Sequence, residues 1–346
     1  MLSTGVPARP AAGILGRMPE ETTPVGSDAL VRLLHPMKEN YHGPPPRRPR
    51  GNPRDFSAWS FLFLAVVAVV LRPSQDSEVH NLLSRAGRLR EALEFIRVPH
   101  RPTIGRRLQA QVPEAEAQIA ALGQQLLTEV ERGAEESEIS AVDGRRDEAA
   151  GPLWHKSSRE EGSVPVGFRN GDTASAWSQS GYRGWVQGYR LVRQGLGGPA
   201  PVPLFAVWRP TNENEAVLAT TALAANQLAV TDVLVGASPF GAPDFTDQYA
   251  QAGGGGLTPP QVPLQGHAWK AARSASRKET SDLLFQRILQ ASGLKACQVK
   301  GRGRNGAFVL ASGWLYQLIF LDNYRHGRPM ADIKDLIDDA RWRSAA

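Results

Sequence analysis

The sequence contains almost no cysteine, since Cys297 is the only one among 346 residues. A single thiol excludes an internal disulfide and any zinc site built from several cysteines. The N-terminal stretch MLSTGVPARPAAG also lacks the basic and then apolar pattern of a secretory signal. Together these two absences predict a protein of the reducing cytoplasm.

Long apolar runs are also scarce. The stretch FLFLAVVAVVL at residues 61–71 has eleven apolar residues, whereas a helix that crosses a bilayer needs about 20. The pattern favours a buried helix that ends before Arg72 and Pro73, and it predicts no contact with a membrane. The glycine-rich stretches GLGGPA and AGGGGL lack the Lys-Ser/Thr pair of a phosphate-binding loop, which argues against a nucleotide site.

The composition is that of a globular protein with a basic excess. Hydrophobic residues make up 41% and charged residues 21% of the chain, and its length is sufficient for two or three domains. The formal net charge of +6 suits a polyanionic partner such as nucleic acid. Many basic proteins bind no polyanion, so this inference needs support from the arrangement of the basic residues.

Changes of composition divide the chain into four predicted regions. Residues 1–55 are rich in Pro, Arg and Gly and are predicted to be poorly ordered, apart from one short helix at 26–35. Residues 56–135 are predicted to form a helical domain, residues 136–328 an α/β domain, and residues 329–346 a C-terminal tail helix. Within the helical domain, apolar spacing predicts separate helices over SFLFLAVVAVVL, 76–96 and 113–132.

Two stretches concentrate arginine and lysine in short polar segments. The first, HRPTIGRRLQAQV, is a predicted turn between helices, and the second, KACQVKGRGRNG, is a predicted loop. Clusters of this kind can hold the phosphates of DNA, and solvated side chains on a plain helical bundle are the alternative. The side chains that we predict to contact DNA are Arg101, Arg106, Arg107, Lys295, Lys300, Arg302 and Arg304.

From residue 137 the pattern changes to strands mixed with helices. Short apolar runs predict strands at ISAVDG, 184–194, 201–210 and 230–237. Helical spacing predicts helices at 213–228, 242–254, 277–294 and 305–325. This order predicts an α/β protein with a mixed sheet and helices packed on it.

Asp143 stands directly after the apolar residues of ISAVDG. Asp before Gly is a common turn pair, so one interpretation is that Asp143 opens a turn where the strand ends. The other interpretation is a metal ligand at the strand end, which needs further carboxylates from elsewhere in the chain.

In their order and spacing, these segments resemble the DDE-type transposases of bacterial insertion sequences, whose catalytic domain has an RNase H-like fold. The resemblance covers roughly residues 60–330. AVDG at 141–144 is similar to the first catalytic strand, and VPHRPTIGRRL at 98–108 is similar to the turn that precedes the catalytic domain. Residues 151–192 resemble the long polar connection and second strand, and residues 277–319 resemble the segment that carries the third acid and the apolar helix after it.

The resemblance implies a site of three carboxylates that binds two Mg²⁺ ions. Two such ions activate a water or a 3′-hydroxyl group and stabilise the leaving oxygen of a phosphodiester, and magnesium prefers oxygen ligands. Asp143 corresponds to the first catalytic, metal-binding acid. Ala237 occupies the position of the second acid, and Asp282 corresponds to the third, which is usually a glutamate.

Two functions follow from this incomplete set of acids. The first is a transposase that acts on double-stranded DNA as a homodimer, cutting element ends and joining them to target DNA with Mg²⁺, its activity impaired by Ala237. The second is a DNA-binding protein of the same descent that does not cut. A structural or adaptor protein built on the helical N-terminal half is a third class, which the basic charge and the ordered motifs disfavour.

Overall fold

Helices dominate the N-terminal part of the chain. The computed structural model describes residues 27–43, 56–71, 75–130, 139–151, 172–180, 184–197, 201–257, 288, 299 and 301–330. Among these residues, the helices that precede the first strand are α1 (Ser27–Glu39), α2 (Ala58–Leu71), α3 (Asp76–Arg85), α4 (Gly87–Ala92), α5 (Arg101–Gln109) and α6 (Val112–Glu129).

Strands and helices alternate in the rest of the described chain. The elements are β1 (Ile139–Glu148), β2 (Ala176–Ser180), β3 (Gly184–Leu196), β4 (Val202–Pro210), α7 (Glu215–Ala224), β5 (Val233–Gly236), α8 (Pro243–Gln251), β6 (Gly255–Leu257) and α9 (Arg302–Arg325). A single 3-10 turn, Ser238–Gly241, connects β5 to α8.

The strands form one mixed sheet. On one side β3 lies antiparallel to β1, and on its other side it pairs first with β2 and then with β4. β1 pairs in parallel with β5, and β5 pairs in parallel with β6. The prediction of a mixed α/β architecture is therefore confirmed. The sequence pattern missed β2, because its five residues, AWSQS, contain no apolar run.

Helix α2 shows how packing overrides local preference. Its sequence contains four valines, each of which costs about 0.5 kcal/mol in helix propensity. Burial of each valine stabilises the fold by about 1.5–3 kcal/mol, and residues 59–70 are all buried. Burial therefore outweighs the low helix propensity of valine, and the buried helix predicted for this apolar run is confirmed. The helix is buried all round because it has no polar face.

One hydrophobic cluster joins the N-terminal helices to the sheet. It includes Leu83 of α3, Leu108 of α5, Phe63 of α2 and Trp314 of α9, together with Trp208 of β4. The ring centroids of Phe63 and Trp314 lie 5.7 Å apart. The described N-terminal helices therefore pack into the same core as one face of the sheet.

Helix α9 runs alongside α6 in this core, and small residues let the two elements and β4 approach closely. A Cβ atom on Gly306 would overlap the ring of Trp208, and one on Gly123 of α6 would overlap the carbonyl oxygen of Leu204 in β4. The buried amide of Gln317 donates to the carbonyl oxygens of Ile119 and Pro203, at 2.9 and 2.7 Å. Backbone approach and side-chain hydrogen bonds thus fix α9 against both neighbours.

Two predictions for the N-terminal helices are wrong, and a third predicted helix lies mostly outside the described residues. The predicted single helix at 76–96 is wrong, since the helix is interrupted at Ala86, between α3 and α4. The next residue, Gly87, has low helix propensity. The predicted turn at 98–108 is also wrong, because helix α5 begins at Arg101, with Pro102 in its first turn, where proline is tolerated. The predicted helix at 277–294 lies outside the described residues, apart from Ile288.

Replacing Gly123 by alanine is expected to destabilise the protein by more than about 1 kcal/mol, because the new methyl group would overlap backbone atoms of Leu204 that have little room to move. The matched control is Gly313→Ala in α9, where the new Cβ would lie 3.6 Å from Ile119, an ordinary contact. The control is expected to be neutral or stabilising because alanine favours helix. Urea unfolding of both variants measures the difference, and equal stabilities would contradict this packing.

Candidate functional site

Asp143 lies inside strand β1, at a position where the strand does not end. The ladder with β3 continues from Ser140 to Glu148 and sets Asp143 directly opposite Arg193. This corrects both the expected turn and the expected strand end, because the antiparallel pairing extends five residues beyond Asp143. The Asp143 Oδ2 atom lies 3.9 Å from Nη2 of Arg193, whose side chain is only 4% exposed.

Ala237, at the expected second acid position, follows β5 beside Asp143. Gly236 pairs with Val142, so Ala237 comes one residue after the last paired position. Val142 belongs to a second hydrophobic cluster, on the α7 and α8 side of the sheet, and Ala237 also packs against that cluster. Because side chains alternate along a strand, the Asp143 side chain lies on the face of the sheet opposite to Val142. Positions 143 and 237 are therefore neighbours across β1 and β5, but the Ala237 side chain packs on the other face.

The described residues do not fit a two-metal site. Within the described ranges, no three His, Cys, Asp or Glu side chains come together in a way that could hold a metal ion. Asp282, the predicted third acid, lies outside these ranges. The only predicted metal ligand that the structure describes is Asp143, and it lies beside a buried guanidinium group.

A second charged group occupies the other face of the same strands. Arg146 lies opposite Arg190 in the ladder, and like charges at directly opposed positions repel. Glu215, at the start of α7, offsets this repulsion with an Oε1 atom 3.3 Å from Nε of Arg190. Gly144 makes room for it, because a Cβ atom there would overlap the Glu215 carboxylate. Gly144, the glycine of the ISAVDG motif, thus provides the space that the buried Arg190–Glu215 ion pair needs.

Burial governs the titration of this group. It raises the pKa of Glu215 above the ordinary 4.5, although Arg190 and Arg146 act to lower it. Burial likewise lowers the pKa of Arg190, and the nearby Glu215 carboxylate opposes that change. The pair is therefore held in a desolvated environment, where its charges interact strongly.

Sequence reasoning missed Arg190, Arg193 and Glu215. The two arginines were hidden inside a predicted strand, GWVQGYRLVRQ, and no spacing rule assigns a partner to a charged residue in a strand. One signal was available for Glu215, because Asn214 caps α7 by accepting from the amides of Ala216 and Val217, and acidic residues favour the first turn of a helix.

The first predicted basic segment lies on helix α5. Arg101 and Arg106 are exposed, so their guanidinium groups are accessible to a ligand. Arg107 is partly buried, and its guanidinium carbon lies 5.9 Å from the ring centroid of Phe61. The three arginines therefore differ in role, because Arg107 also contributes to the packing of α5 on α2.

The second predicted basic segment begins helix α9. Arg302 is exposed, and its carbonyl oxygen accepts a 3.0 Å hydrogen bond from Nε1 of Trp208. Arg304 is instead engaged inside the protein, with Nη2 2.8 Å from Oδ1 of Asp76 and its guanidinium carbon 5.7 Å from the Phe308 ring. Lys295 and Lys300 lie outside the described residues.

Close packing brings these two segments together. A Cβ atom on Gly303 would lie 2.5 Å from the carbonyl oxygen of Gln109, so the start of α9 contacts the end of α5. Arg106 stands one turn before Gln109, and Arg302 is next to Gly303. Two basic segments that are almost 200 residues apart in the sequence thus meet at one end of the helical layer.

A buried aspartate, Asp172, fixes the loop that leads into α9. The Asp172 side chain is 3% exposed, and its Oδ2 atom accepts a 2.8 Å hydrogen bond from the amide of Gly301. Asn305 holds the same loop by donating to the carbonyl oxygens of Val299 and Gly301. Arg302 therefore lies at a helix N-terminus that these hydrogen bonds hold in place.

Two aromatic residues of β3 differ in burial. Tyr189 is fully buried, with its ring centroid 5.2 Å from that of Trp208, whereas Trp185 is 58% exposed.

Comparison of this chain with family models, with curated proteins and with solved structures gives no match. Among the described helices, no single one is long and apolar enough to cross a membrane. One bent pair, Trp59–Leu71 with Asp76–Arg85, meets that test of length and composition only when the two helices are taken together.

Glu215→Gln is expected to change how the free energy of unfolding depends on pH. Because burial makes the pKa of Glu215 higher in the folded than in the unfolded state, its contribution to stability is fully present below about pH 4.5 and declines as the pH rises through the folded-state pKa. The stability of the native protein relative to the variant should therefore fall between acid and neutral pH. Urea unfolding across a pH series measures this difference.

Glu91→Gln, which removes an exposed carboxylate from α4, is the control for that series. A difference between native protein and Glu215→Gln that stays constant with pH, or that matches the control, would contradict the assignment of a buried, destabilised carboxylate.

Proposed function

We propose that this protein binds double-stranded DNA and descends from a DDE-type transposase, with a set of acids that no longer supports strand cleavage. The observation that carries the proposal is the meeting of two basic segments, α5 and the start of α9, at Gln109 and Gly303. Either basic segment alone could be a set of scattered, solvated arginines. Two such segments from distant parts of the chain that meet at one place fit that explanation less well.

The binding surface is defined by Arg106 and Arg302, the exposed arginines next to the contact between α5 and α9, and Arg101 is a further exposed arginine at the other end of α5. We refer to it as the α5–α9 basic surface. Guanidinium groups suit phosphate oxygens because they donate planar, paired hydrogen bonds. Contacts of this kind neutralise phosphates and release counterions, so we expect affinity that depends steeply on salt and weakly on sequence. Arg107 and Arg304 support the surface from within rather than contacting DNA directly.

The architecture supports descent from a transposase with an RNase H-like domain. The resemblance requires the first and second acid positions on neighbouring strands. Asp143 lies in β1, and Ala237 directly follows β5, which pairs with β1 in parallel. A mixed sheet with helices packed on it agrees with the same fold. The RNase H-like assignment is part of the proposal.

The acid positions support loss of cleavage. Ala237 has no side-chain atom that could bind a metal ion, and its side chain packs against the cluster on the sheet face opposite Asp143. Metal-dependent phosphodiester chemistry needs ligands placed to within about 0.5 Å. In this proposal the protein occupies DNA, such as the ends of a related element, without cutting it.

The first test measures binding of a fluorescent DNA duplex by anisotropy over a range of salt concentrations. The double variant Arg106→Ala/Arg302→Ala is expected to bind more weakly and to lose about 1.8 units of slope in a plot of log K against log salt, since each phosphate contact contributes about 0.9. The loss should be similar for duplexes of unrelated sequence.

The matched control is Lys38→Ala/Arg328→Ala, which removes two exposed basic residues near the C-terminal end of α9, where Arg325 donates to Asn40 at the end of α1. Arg328 follows α9, whose 24 residues span about 36 Å, and it pairs with Asp322. The control is expected to keep the native salt slope. Equal slopes for both double variants, or a native protein that binds no duplex at low salt, would refute the α5–α9 basic surface.

The second test asks whether the protein cuts DNA. The native protein is expected to leave a supercoiled plasmid intact with Mg²⁺ or Mn²⁺, because the acid set is incomplete. Ala237→Asp is the companion variant, and cleavage by this variant alone would identify position 237 as the lost acid. Cleavage by the native protein would show that the chain is an active enzyme and would overturn the non-catalytic part of the proposal.

A further inference from the structure

Arg193 lies directly opposite Asp143, the residue that corresponds to a metal ligand in the resemblance. The two residues are directly opposed in the β1–β3 ladder, with Oδ2 and Nη2 3.9 Å apart. The Arg193 side chain is 4% exposed and that of Asp143 is 23% exposed. A guanidinium group buried to this extent requires a nearby anion, because an uncompensated charge in the interior is strongly destabilising.

We infer that Arg193 supplies an internal positive charge in place of a metal ion at Asp143, so that the folded protein binds no divalent cation there. This inference concerns the interior of the sheet and does not depend on DNA binding. Asp143 then has a structural role as the counter-ion of Arg193.

The neighbours of Asp143 on the same face of the sheet support this inference. Side chains alternate along a strand, so the same-face neighbours on β1 are Ala141 and Arg145, and the residue paired with Arg193 on β4 is Ala206. Neither alanine carries a side-chain oxygen. The charge of Arg145 is already paired, with Nε 2.8 Å from Oδ1 of Asp147.

A divalent cation is poorly suited to these surroundings. Mg²⁺ needs near-octahedral oxygen coordination and usually more than one fixed anionic ligand, and it dehydrates reluctantly. Within the described ranges, no three His, Cys, Asp or Glu side chains come together in a way that could hold a metal ion at Asp143. A cation there would also lie beside the positive charge of Arg193, whose repulsion would offset the attraction of the Asp143 carboxylate.

The direct test uses the native, full-length protein and needs no variant. Fe²⁺ is supplied in place of Mg²⁺ with ascorbate and peroxide, and the resulting backbone cuts are located by mass spectrometry. We expect no cut between residues 141 and 145, and addition of Mg²⁺ or Mn²⁺ should leave the melting temperature unchanged. Cuts within that stretch that millimolar Mg²⁺ suppresses would overturn the inference.

A double-mutant cycle tests the role of the pair. Asp143→Asn and Arg193→Met are each expected to lower the melting temperature, and the double variant should lose less than the sum, because it leaves no charge without its partner. Asp244→Asn, which changes an exposed carboxylate in the first turn of α8, is the control and should show no such coupling to Arg193→Met. Additive losses in the Asp143 cycle would show that the two groups are not paired and would overturn the inference.

Discussion

The packing of helix α9 between α6, α2 and strand β4 is the constraint on which the rest of the structure depends. The helix is buried over almost its whole length, and glycines allow it and α6 to approach their neighbours at backbone distance. Gln317 ties it to both Ile119 and Pro203. At its far end, Arg325 forms two hydrogen bonds with the Glu129 carboxylate, which lower the pKa of that carboxyl group. The N-terminal helices and the sheet therefore share one core because both pack on α9.

This packing also determines where the basic residues meet. Gly303 contacts the end of α5, and Asp172 fixes the loop that enters α9 through the amide of Gly301. The exposed arginines are thus held on elements with restricted motion, which reduces the entropy lost when they contact a ligand. Arg304 strengthens the same junction from inside through Asp76. The proposed DNA surface is a consequence of core packing rather than of a separate binding module.

The interior of the sheet contains two compensated charge groups on opposite faces. Asp143 and Arg193 lie on one face, and Glu215, Arg190 and Arg146 lie on the other. Buried ion pairs add little net stability, but removing one partner is costly, so each group constrains substitution of its members. Asp143, the described carboxylate that suggested catalysis in the sequence, is paired with Arg193 in the fold. This arrangement favours a structural role for Asp143.

The sequence by itself determined the elements whose signal is local. The apolar run of α2, the amphipathic α6, the first half of β1, the strands β3 and β4 and the helix α9 were all predictable, because their periodicity reflects burial of their own side chains. Only the tertiary structure decided what the charged residues do. The partner of Asp143 is Arg193, fifty residues later, and the neighbour of Gln109 is Gly303. Such contacts depend on strand register and helix packing, which bring together residues that no local pattern connects.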